Sequence, residues 1–497
     1  MAADAHAAGA SDIASIALSL ISHTNAGKTT LARTLLDRDI GDVRDAPHVT
    51  QSASVHRLVE SAVGDTLSLW DTPGFGDSAR LAKRLAQEGS PIGWFMTQVW
   101  DRYRDRSFWL TQQAVRNVRD EADVVLYLVN ASETPEDAGY LAPELAVLAW
   151  IGKPVIALLN QAGPATGAGD ERADEARWRA RLAEAKVREV LALDAFARCW
   201  VQEFALFAAI ARVLPAAQRP AQRRLTRAWE ARRRAQFDAA MGALALPLAA
   251  AASDRVALPD DPLLAKVGRK LGIARATGES AAQRVEREMA ARVELAFRAC
   301  TDRLLEIHGL AGSAAAEAFA RLDGDLRRDA PLDEGKAAMM GGIVSGAVTG
   351  LTADLAAGGL TLGGGMLAGA LLGALGGAGI ARGMNVVRER KGLTLAWDAA
   401  FLDKLAAAVL LRYLAVAHFG RGRGAWTANA VPEHWRAAVA AAQAAHAQDF
   451  AQVWAERAAN ADLLANESRL RKLLARVASG VLAKLYPDAG LIADAAD

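Results

Sequence analysis

A chain of 497 residues is too long for one hydrophobic core, so we expect two or three domains. Its 58 basic and 57 acidic residues leave a formal net charge of +1, which gives no overall field for nucleic acid, and we predict no specific nucleic-acid partner. Cys199 and Cys300 lack metal-ligand spacing and residues 1–9 lack a basic-then-apolar pattern, so we expect a reducing compartment and no secretory signal.

The segment 15–30 changes from an apolar run to a polar turn and then to a helical pattern, which predicts a strand, a loop and a helix. Gly27, Lys28 and Thr29 lie where the loop meets the helix. Backbone N–H groups in such a loop and the positive end of the helix dipole bind phosphate, while Lys28 reaches the terminal phosphates and Thr29 binds Mg²⁺. Ser22 replaces the first glycine of the pattern G-x-x-x-x-G-K-[ST]. The alternative is an ordinary helix N-terminus.

A second strand is predicted at 66–70, and it ends in Asp71, Thr72, Pro73 and Gly74. Asp71 would hold Mg²⁺ through a water molecule, and the amide of Gly74 would bond the γ-phosphate of a nucleotide. The same four residues also suit a plain β-turn. Because both motifs follow predicted strands in the order that a phosphate site needs, together they predict nucleotide binding.

These motifs resemble the first signature motifs of the Era-like branch of bacterial GTPases, carried here by 25–29, Thr50 and 71–74. The resemblance implies that Thr50 is the switch threonine, which closes over Mg²⁺ and the γ-phosphate. It also implies that Asn25 helps to hold a monovalent cation, with K⁺ as the candidate. Phe75 stands where Ras-type proteins have a glutamine that orients water. This departure implies a slow intrinsic turnover that potassium, a partner or self-association would raise.

The predicted site combines both motifs with the end of a later strand. Catalytic roles are predicted for Lys28, Thr50 and Gly74, and Mg²⁺ is expected at Thr29, Thr50 and Asp71. The residues expected to contact the nucleotide are Asn25, Ala26, Gly27, Lys28, Thr29, Thr30, Asp71, Gly74, Asn160 and Gln161.

Two further apolar runs, 124–129 and 154–159, are typical of buried parallel strands. The second run ends at Asn160, where GTPases have the pattern Asn-Lys-x-Asp, which recognises guanine. The alternative is that Asn160 only caps the turn at the end of the strand. The match is partial, because Gln161 replaces the lysine that stacks on the base and Gly163 replaces the aspartate that accepts two hydrogen bonds. Strands alternating with helices predict an α/β P-loop NTPase domain, a parallel sheet with helices on both faces.

The chain is expected to divide into a GTPase domain at 1–215 with a helical insertion at about 77–120, a helical domain at 216–335, a glycine-zipper apolar hairpin at 336–391 and a C-terminal helical segment at 392–497. The insertion is rich in aromatic residues and arginine. Because acids are interleaved with them, packing of these aromatics against the switch or a neighbouring domain is favoured over nucleic-acid stacking.

Residues 337–381 carry glycine at repeated four-residue spacing and one acid, Asp354. This spacing lets two helices approach closely, and each limb is near the length that spans a bilayer. Basic residues at both ends favour a hairpin that enters from the cytoplasm, so the expected location is the cytoplasm, at the cytoplasmic membrane. The alternative is a buried hairpin in a soluble helical domain.

The layout of the whole chain resembles a bacterial family that pairs an N-terminal Era-like GTPase domain with a C-terminal helical domain of unknown function. This resemblance is architectural and names no activity. From the site motifs and the glycine-rich hairpin we hypothesise a GTP-hydrolysing switch coupled to a membrane-associated helical domain, with GTP and GDP as ligands and a homodimer or protein partner as candidates. Two alternatives stay open because of Phe75 and Gly163. One is a non-hydrolysing scaffold that nucleotide stabilises, and the other is a P-loop NTPase that prefers ATP.

Overall fold

The computed structural model describes residues 13–23, 26–37, 54–72, 74–87, 89, 91–160, 170–185, 187–193, 199–257, 281–310, 384–389, 392–419, 432–456 and 463–487. The predicted glycine-rich hairpin at 337–381 lies outside these ranges, as do the predicted site residues Asn25, Thr50 and Gln161. The chain forms two compact units, Met1–Ala235 with His418–Gly424 and Gln236–Ala417 with Ala425–Asp497.

In the first unit, the described residues form one sheet of six strands in the order β2-β3-β1-β4-β5-β6. The strands are β1 (Ser15–Ser22), β2 (Ser54–Glu60), β3 (Thr66–Asp71), β4 (Val124–Asn130), β5 (Val155–Asn160) and β6 (Glu189–Ala192). The edge strand β2 is antiparallel to β3, and the other neighbouring pairs are parallel. The predicted α/β class is confirmed.

Helices cover both faces of this sheet. The helices between Lys28 and Val213 are α1 (Lys28–Leu36), α2 (Ser78–Ala86), α3 (Pro91–Phe95), a π-helical segment (Met96–Asp101), α4 (Arg102–Arg104), α5 (Arg106–Glu121), α6 (Leu141–Ile151), α7 (Asp170–Glu184) and α8 (Val201–Val213). One core cluster joins β4 and β5 to apolar side chains of α2, α5, α6 and α7. On the other side, α1 contacts β1 and β3, and α8 contacts β5 and β6. Residues 124–129 of β4 are therefore buried without interruption, as in a parallel strand with two covered faces.

The stretch between β3 and β4 is helical, but its aromatic residues divide into two groups. Phe108 of α5 is buried and belongs to the core cluster, as the prediction of packing requires. That prediction is wrong for Phe95, Trp100 and Tyr103, whose side chains are exposed. In this part of the stretch the buried side is formed by Gly93, Thr97 and Asp101, so the aromatic side chains lie on the exposed side.

The second unit is mostly helical, which confirms the predicted helical C-terminal region. The elements outside the first unit's sheet are α9 (Arg219–Ser253), β7 (Arg255–Ala257), α10 (Ala281–Ile307), β8 (Met384–Glu389), β9 (Gly392–Trp397), α11 (Ala399–Ala417), α12 (Glu433–Ala445), α13 (Ala447–Glu456) and α14 (Leu463–Leu485). The small strands pair antiparallel in the order β7-β9-β8. Helix α9 begins in the first unit and continues into the second.

Among the described residues, α9 is also the one helix long and apolar enough to cross a bilayer. In the structure, 61% of its apolar window is buried. A core helix of a globular protein meets the same criteria of length and composition.

Candidate functional site

The candidate site lies at the edge of the sheet where β1 and β3 end. These strands are parallel neighbours, and Leu20 of β1 is paired with Asp71 of β3. Parallel neighbours place their following loops at the same sheet edge, which is where ligands bind in open α/β sheets. The two motifs that the sequence predicts as one site are therefore adjacent in space.

The loop after β1 enters α1 through a glycine that the backbone requires. Gly27 has φ +89° and ψ +23°, in the left-handed region that side-chain-bearing residues rarely adopt. Its carbonyl accepts the N–H of Leu31 at 2.9 Å, which starts the helix. No side chain among the described residues caps this helix end, and its first turn holds no acid. Its N–H groups and positive dipole end thus suit an anion, and phosphate fits this chemistry.

Lys28 supplies a cation inside this loop. Its side chain is buried, and Nζ donates a hydrogen bond to Ser22 Oγ at 3.1 Å. Burial lowers the pKa of the Lys28 ammonium below its ordinary value, although the charges of Asp71 and Glu144 oppose this effect. Ser22, at the position where the pattern has glycine, is therefore a contact of the lysine rather than an interruption of the site.

Thr29 and Asp71 form the second half of the site. Thr29 Oγ1 donates to Asp71 Oδ2 at 2.8 Å. Asp71 is buried, and its Oδ1 has no hydrogen-bond partner within the ranges that the structure describes. Burial raises the pKa of Asp71, against the opposing effects of the Thr29 hydrogen bond and the Lys28 charge. A hydroxyl beside a carboxylate with a free oxygen is the hard oxygen donor set that Mg²⁺ prefers, so these residues fit the metal.

The loop after β3 is fastened to the end of β1. The Thr72 hydroxyl donates to the carbonyl of Leu20, and the Phe75 N–H donates to the carbonyl of Ser22 at 3.1 Å. The Phe75 ring is buried in the core cluster beneath the sheet. Its side chain therefore cannot orient water at the site, and Gly74 is held between Thr72 and Phe75 in this loop.

Asn160, at the end of β5, reaches the first loop. Its Nδ2 donates to the carbonyl of Ala26 at 2.7 Å, and both residues are buried. The side chain of Asn160 thus contacts the phosphate loop across the sheet edge, and the turn that it was alternatively predicted to cap lies outside the described residues. Thr30, also predicted to contact the nucleotide, is buried on α1, and its carbonyl accepts from the Thr34 hydroxyl at 2.8 Å.

A buried polar group beneath the loop was not predicted from the sequence. Glu144 of α6 is fully buried, and its Oε1 lies 2.8 Å from His23 Nδ1 in the loop. Tyr127 of β4 donates its hydroxyl to Glu144 Oε2 at 2.7 Å, and the Tyr140 ring stacks on His23 with centroids 4.4 Å apart. Burial and the Glu144 charge raise the pKa of Tyr127 well above its ordinary value. The signal in the sequence is an acid in an otherwise apolar helix.

Two protein-family models match the chain. Residues 18–161 match the model described as 50S ribosome-binding GTPase, and residues 179–478 match the model described as Domain of unknown function (DUF3482). The chain matches no curated protein.

Several solved structures match part of the chain. Era from Aquifex aeolicus, bound to GDP and AlF₄⁻, is 18% identical over 41% of this chain and 58% of its own, with a TM-score of 0.29. Era in complex with MgGDPNP and part of 16S ribosomal RNA is 16% identical over 41% and 58%, with a TM-score of 0.28. The chloroplast translocon components atToc33 and psToc159 give 12% identity over 41% and 84%, with a TM-score of 0.30.

This chain thus spans 58% of the length of the Era structures. The GTPase model covers the chain from within β1 to the end of β5, including both loops of the candidate site. The DUF3482 model covers more than half of the chain. The chain therefore belongs to the DUF3482 family, and its N-terminal part contains a P-loop GTPase domain.

Proposed function

We propose that this protein binds GTP with Mg²⁺, hydrolyses it to GDP and phosphate, and uses the nucleotide state as a switch. The observation that carries this proposal is the contact between Thr29 and Asp71, with the buried Lys28 and the uncapped start of α1 beside it. An ammonium, a row of helix N–H groups and a hydroxyl–carboxylate pair are what a nucleotide triphosphate with a divalent metal needs. The match to the GTPase model supports guanine as the base.

Each described site residue has a role in this proposal. Lys28 and the N–H groups at the start of α1 bind the phosphates and balance their charge. Thr29 and Asp71 would hold Mg²⁺, which when bound neutralises the charge that develops on the transferred phosphoryl group. Asn160 keeps the phosphate loop in place through Ala26.

The proposed turnover is slow without a further group. Phe75 occupies the core rather than the site, so no side chain at that position orients the attacking water. A monovalent cation near Asn25 would supply the missing stabilisation in our proposal, as would a partner or a second copy of the chain. Equal hydrolysis rates in sodium and potassium would contradict the cation part.

The switch is proposed to act on the C-terminal helical domain through α9. Near its start, Arg224 makes two bonds to Asp65 in the β2–β3 turn, at 2.7 and 2.9 Å. Further along the helix, Arg232 donates to Asp37 at 2.8 Å, and Arg233 bonds the same carboxylate. Asp37 ends α1, at the point where the chain enters the segment that carries the predicted switch threonine. Because α9 continues into the second unit, a movement at these contacts would reach the helical domain.

Nucleotide binding and turnover with GTP and ATP test the proposal. Fluorescent analogues of both nucleotides report binding with and without Mg²⁺, and phosphate release under single-turnover conditions reports hydrolysis. We expect the protein to bind GTP in preference to ATP. Lys28→Ala should abolish nucleotide binding, while Lys83→Ala, at an exposed lysine of α2, should leave it unchanged. Binding without turnover in any cation would support a scaffold instead, and a preference for ATP would support an adenine-nucleotide NTPase.

The association with the cytoplasmic membrane is proposed for residues 337–381. Their apolar, glycine-spaced sequence supports it, and carbonate extraction of the membrane fraction tests it. Recovery of the whole protein in the soluble fraction before extraction would refute this part without affecting the GTPase proposal.

A further inference from the structure

The helical stretch from α3 to α4 turns its polar side inward and its apolar side outward. On the buried side lie Gly93, Thr97 and Asp101, spaced four residues apart. The exposed side carries large apolar or aromatic side chains, with relative exposures of 71% for Ile92, 48% for Phe95, 44% for Trp100 and 79% for Tyr103. Packing in water favours the opposite arrangement, and a contiguous exposed apolar patch marks an interaction surface.

A π turn keeps these four side chains on one side. Ile92 and Phe95 are three residues apart in an α-helical turn and share a face, and so do Trp100 and Tyr103. Phe95 and Trp100 are five residues apart, across the π-helical segment Met96–Asp101. Hydrogen bonds in a π-helix join residues five apart, so these two side chains lie one turn above each other. The four form a single strip, which we name the outer apolar face.

Ion pairs with α2, one of them to a buried carboxylate, hold the stretch in this orientation. Asp101 is fully buried, with Arg84 Nε 2.8 Å from its Oδ2 and Gln112 Nε2 donating to it at 2.9 Å. Arg80 donates to Asp105 at 2.6 Å, and its guanidinium lies 3.8 Å from the centre of the Phe108 ring. Both arginines belong to α2, so the polar side of the stretch is fixed to the helix that follows the Asp71 loop.

These pairs leave the outer apolar face with positive charge. Arg102, Arg104 and Arg106 are exposed, whereas the two acids of the stretch are engaged with the arginines of α2. Arg104 lies 4.9 Å from the centre of the Trp100 ring, and Arg102 lies 5.9 Å from that of Tyr103. Exposed arginines thus stand directly among the exposed aromatic rings.

We propose that the outer apolar face binds the surface of an anionic lipid bilayer, at the depth of the headgroups. Tryptophan and tyrosine favour this zone because one part of the ring is apolar and the other polar, and arginines beside them attract anionic headgroups. Burial of the apolar Ile92 and Phe95 side chains among the acyl chains is favourable because it removes them from water. This surface is formed by residues of the GTPase domain, and the proposal is independent of the one made for residues 337–381.

A fluorescent label on the face tests this proposal in the full-length protein. Cys199 and Cys300 are buried, so a maleimide dye sensitive to polarity will label Tyr103→Cys selectively. We expect a blue shift and a severalfold rise in emission with vesicles of equimolar phosphatidylcholine and phosphatidylglycerol. Vesicles of phosphatidylcholine alone should give little change, and Arg102→Glu with Arg104→Glu should abolish the response. A label at Val63→Cys, exposed in the same unit, is the matched control and should not respond.

Three results would overturn the proposal. One is an unchanged signal with anionic vesicles, and another is an equal response from the Val63→Cys control. The third is a response to single-stranded RNA or to unlabelled protein in place of vesicles, which would make the face a nucleic-acid or self-association surface. Because the measurement does not depend on turnover, a Lys28→Ala background should retain the response, and a failed GTPase proposal would be recognised separately.

Discussion

Thr29 and Asp71 lie 42 residues apart in the sequence, and the Thr29 hydroxyl donates to the Asp71 carboxylate at 2.8 Å. This contact joins the loop after β1 to the loop after β3. Asp71 is buried, and burial raises its pKa, so its ionised form is unfavourable in the protein alone. A divalent cation would stabilise that ionised form. The carboxylate of Asp71 thus lowers the stability of the metal-free protein and would serve to bind the metal.

Asp71→Asn should therefore stabilise the nucleotide-free protein while abolishing its response to Mg²⁺. The pKa of Asp71 is raised in the folded state, so its ionisation destabilises the fold at neutral pH, and this effect disappears below its ordinary value of 3.8. We expect a gain of about 1 kcal/mol in the free energy of unfolding at neutral pH, and none in acid. Urea unfolding with a chelator measures the gain, and repeating it with GTP and Mg²⁺ measures the lost metal response.

Asp120→Asn is the control for this measurement, because Asp120 is exposed and pairs with its neighbour Arg119 in a surface contact. It should change the free energy of unfolding by less than about 0.5 kcal/mol. If Asp71→Asn destabilises the protein, the attraction between the Lys28 ammonium and the Asp71 carboxylate outweighs the cost of burying that carboxylate.

Arg233→Met should destabilise the first unit strongly. The Arg233 side chain is buried and donates to both oxygens of Glu203, each at 2.7 Å, and Glu203 is fully buried on α8. Removing one member of a buried ion pair leaves an uncompensated charge, with a cost of about 3–5 kcal/mol. Adding Glu203→Gln should restore part of the loss, and unfolding of the single and double variants in urea gives the coupling.

The neighbouring Arg234→Met is the matched control, because Arg234 is exposed and pairs with Glu230 on the same helix. Its cost should stay below about 0.5 kcal/mol. If Arg233→Met costs no more than Arg234→Met, the buried network does not fasten α9 to the GTPase domain.

Glu144→Gln should weaken nucleotide binding, although we expect no direct contact between Glu144 and the nucleotide. The carboxylate fixes the phosphate loop through His23 and accepts a second hydrogen bond from Tyr127. We expect the Kd for GTP to rise about tenfold, which corresponds to about 1.4 kcal/mol. Tyr127→Phe removes a hydrogen bond but keeps the His23 contact, so it should lower stability by about 1 kcal/mol and change Kd little. Titration with a fluorescent GTP analogue and urea unfolding separate the two effects, and equal Kd changes in both variants would contradict the positioning role.

The sheet and the two loops of the site follow from local sequence. Apolar runs of strand length mark β1, β3, β4 and β5, and parallel strands bring the loops after β1 and β3 to one edge. The contact between Thr29 and Asp71 could therefore be expected from the amino-acid sequence. It needs only the order of the motifs and the rule that the carboxyl ends of parallel strands meet.

Contacts between distant elements could not be predicted in this way. Glu144 and His23 are 121 residues apart, and Glu203 and Arg233 are 30 apart on different helices. Which buried acid contacts which basic residue depends on how the helices pack on the sheet. The periodicity of apolar residues predicts the helices and strands but not this packing. The exposed rings of Trp100 and Tyr103 were missed for a related reason, because a π turn shifts which residues share a face.

Asp65→Asn should make the stability of the first unit less sensitive to acid. Asp65 is fully buried and accepts from Ser61 Oγ at 2.7 Å and from Arg224 at 2.7 and 2.9 Å, and the Arg224 hydrogen bonds hold its pKa well below the ordinary value. A depressed pKa stabilises the fold at neutral pH, and this contribution is lost as the pH falls from about 3.8 toward the lower folded value. Wild type should therefore lose stability in that window, whereas Asp65→Asn should be about 1–3 kcal/mol less stable at neutral pH and lose less in acid. Urea midpoints across the acid range measure both slopes, and parallel slopes would show that Asp65 does not control the acid response.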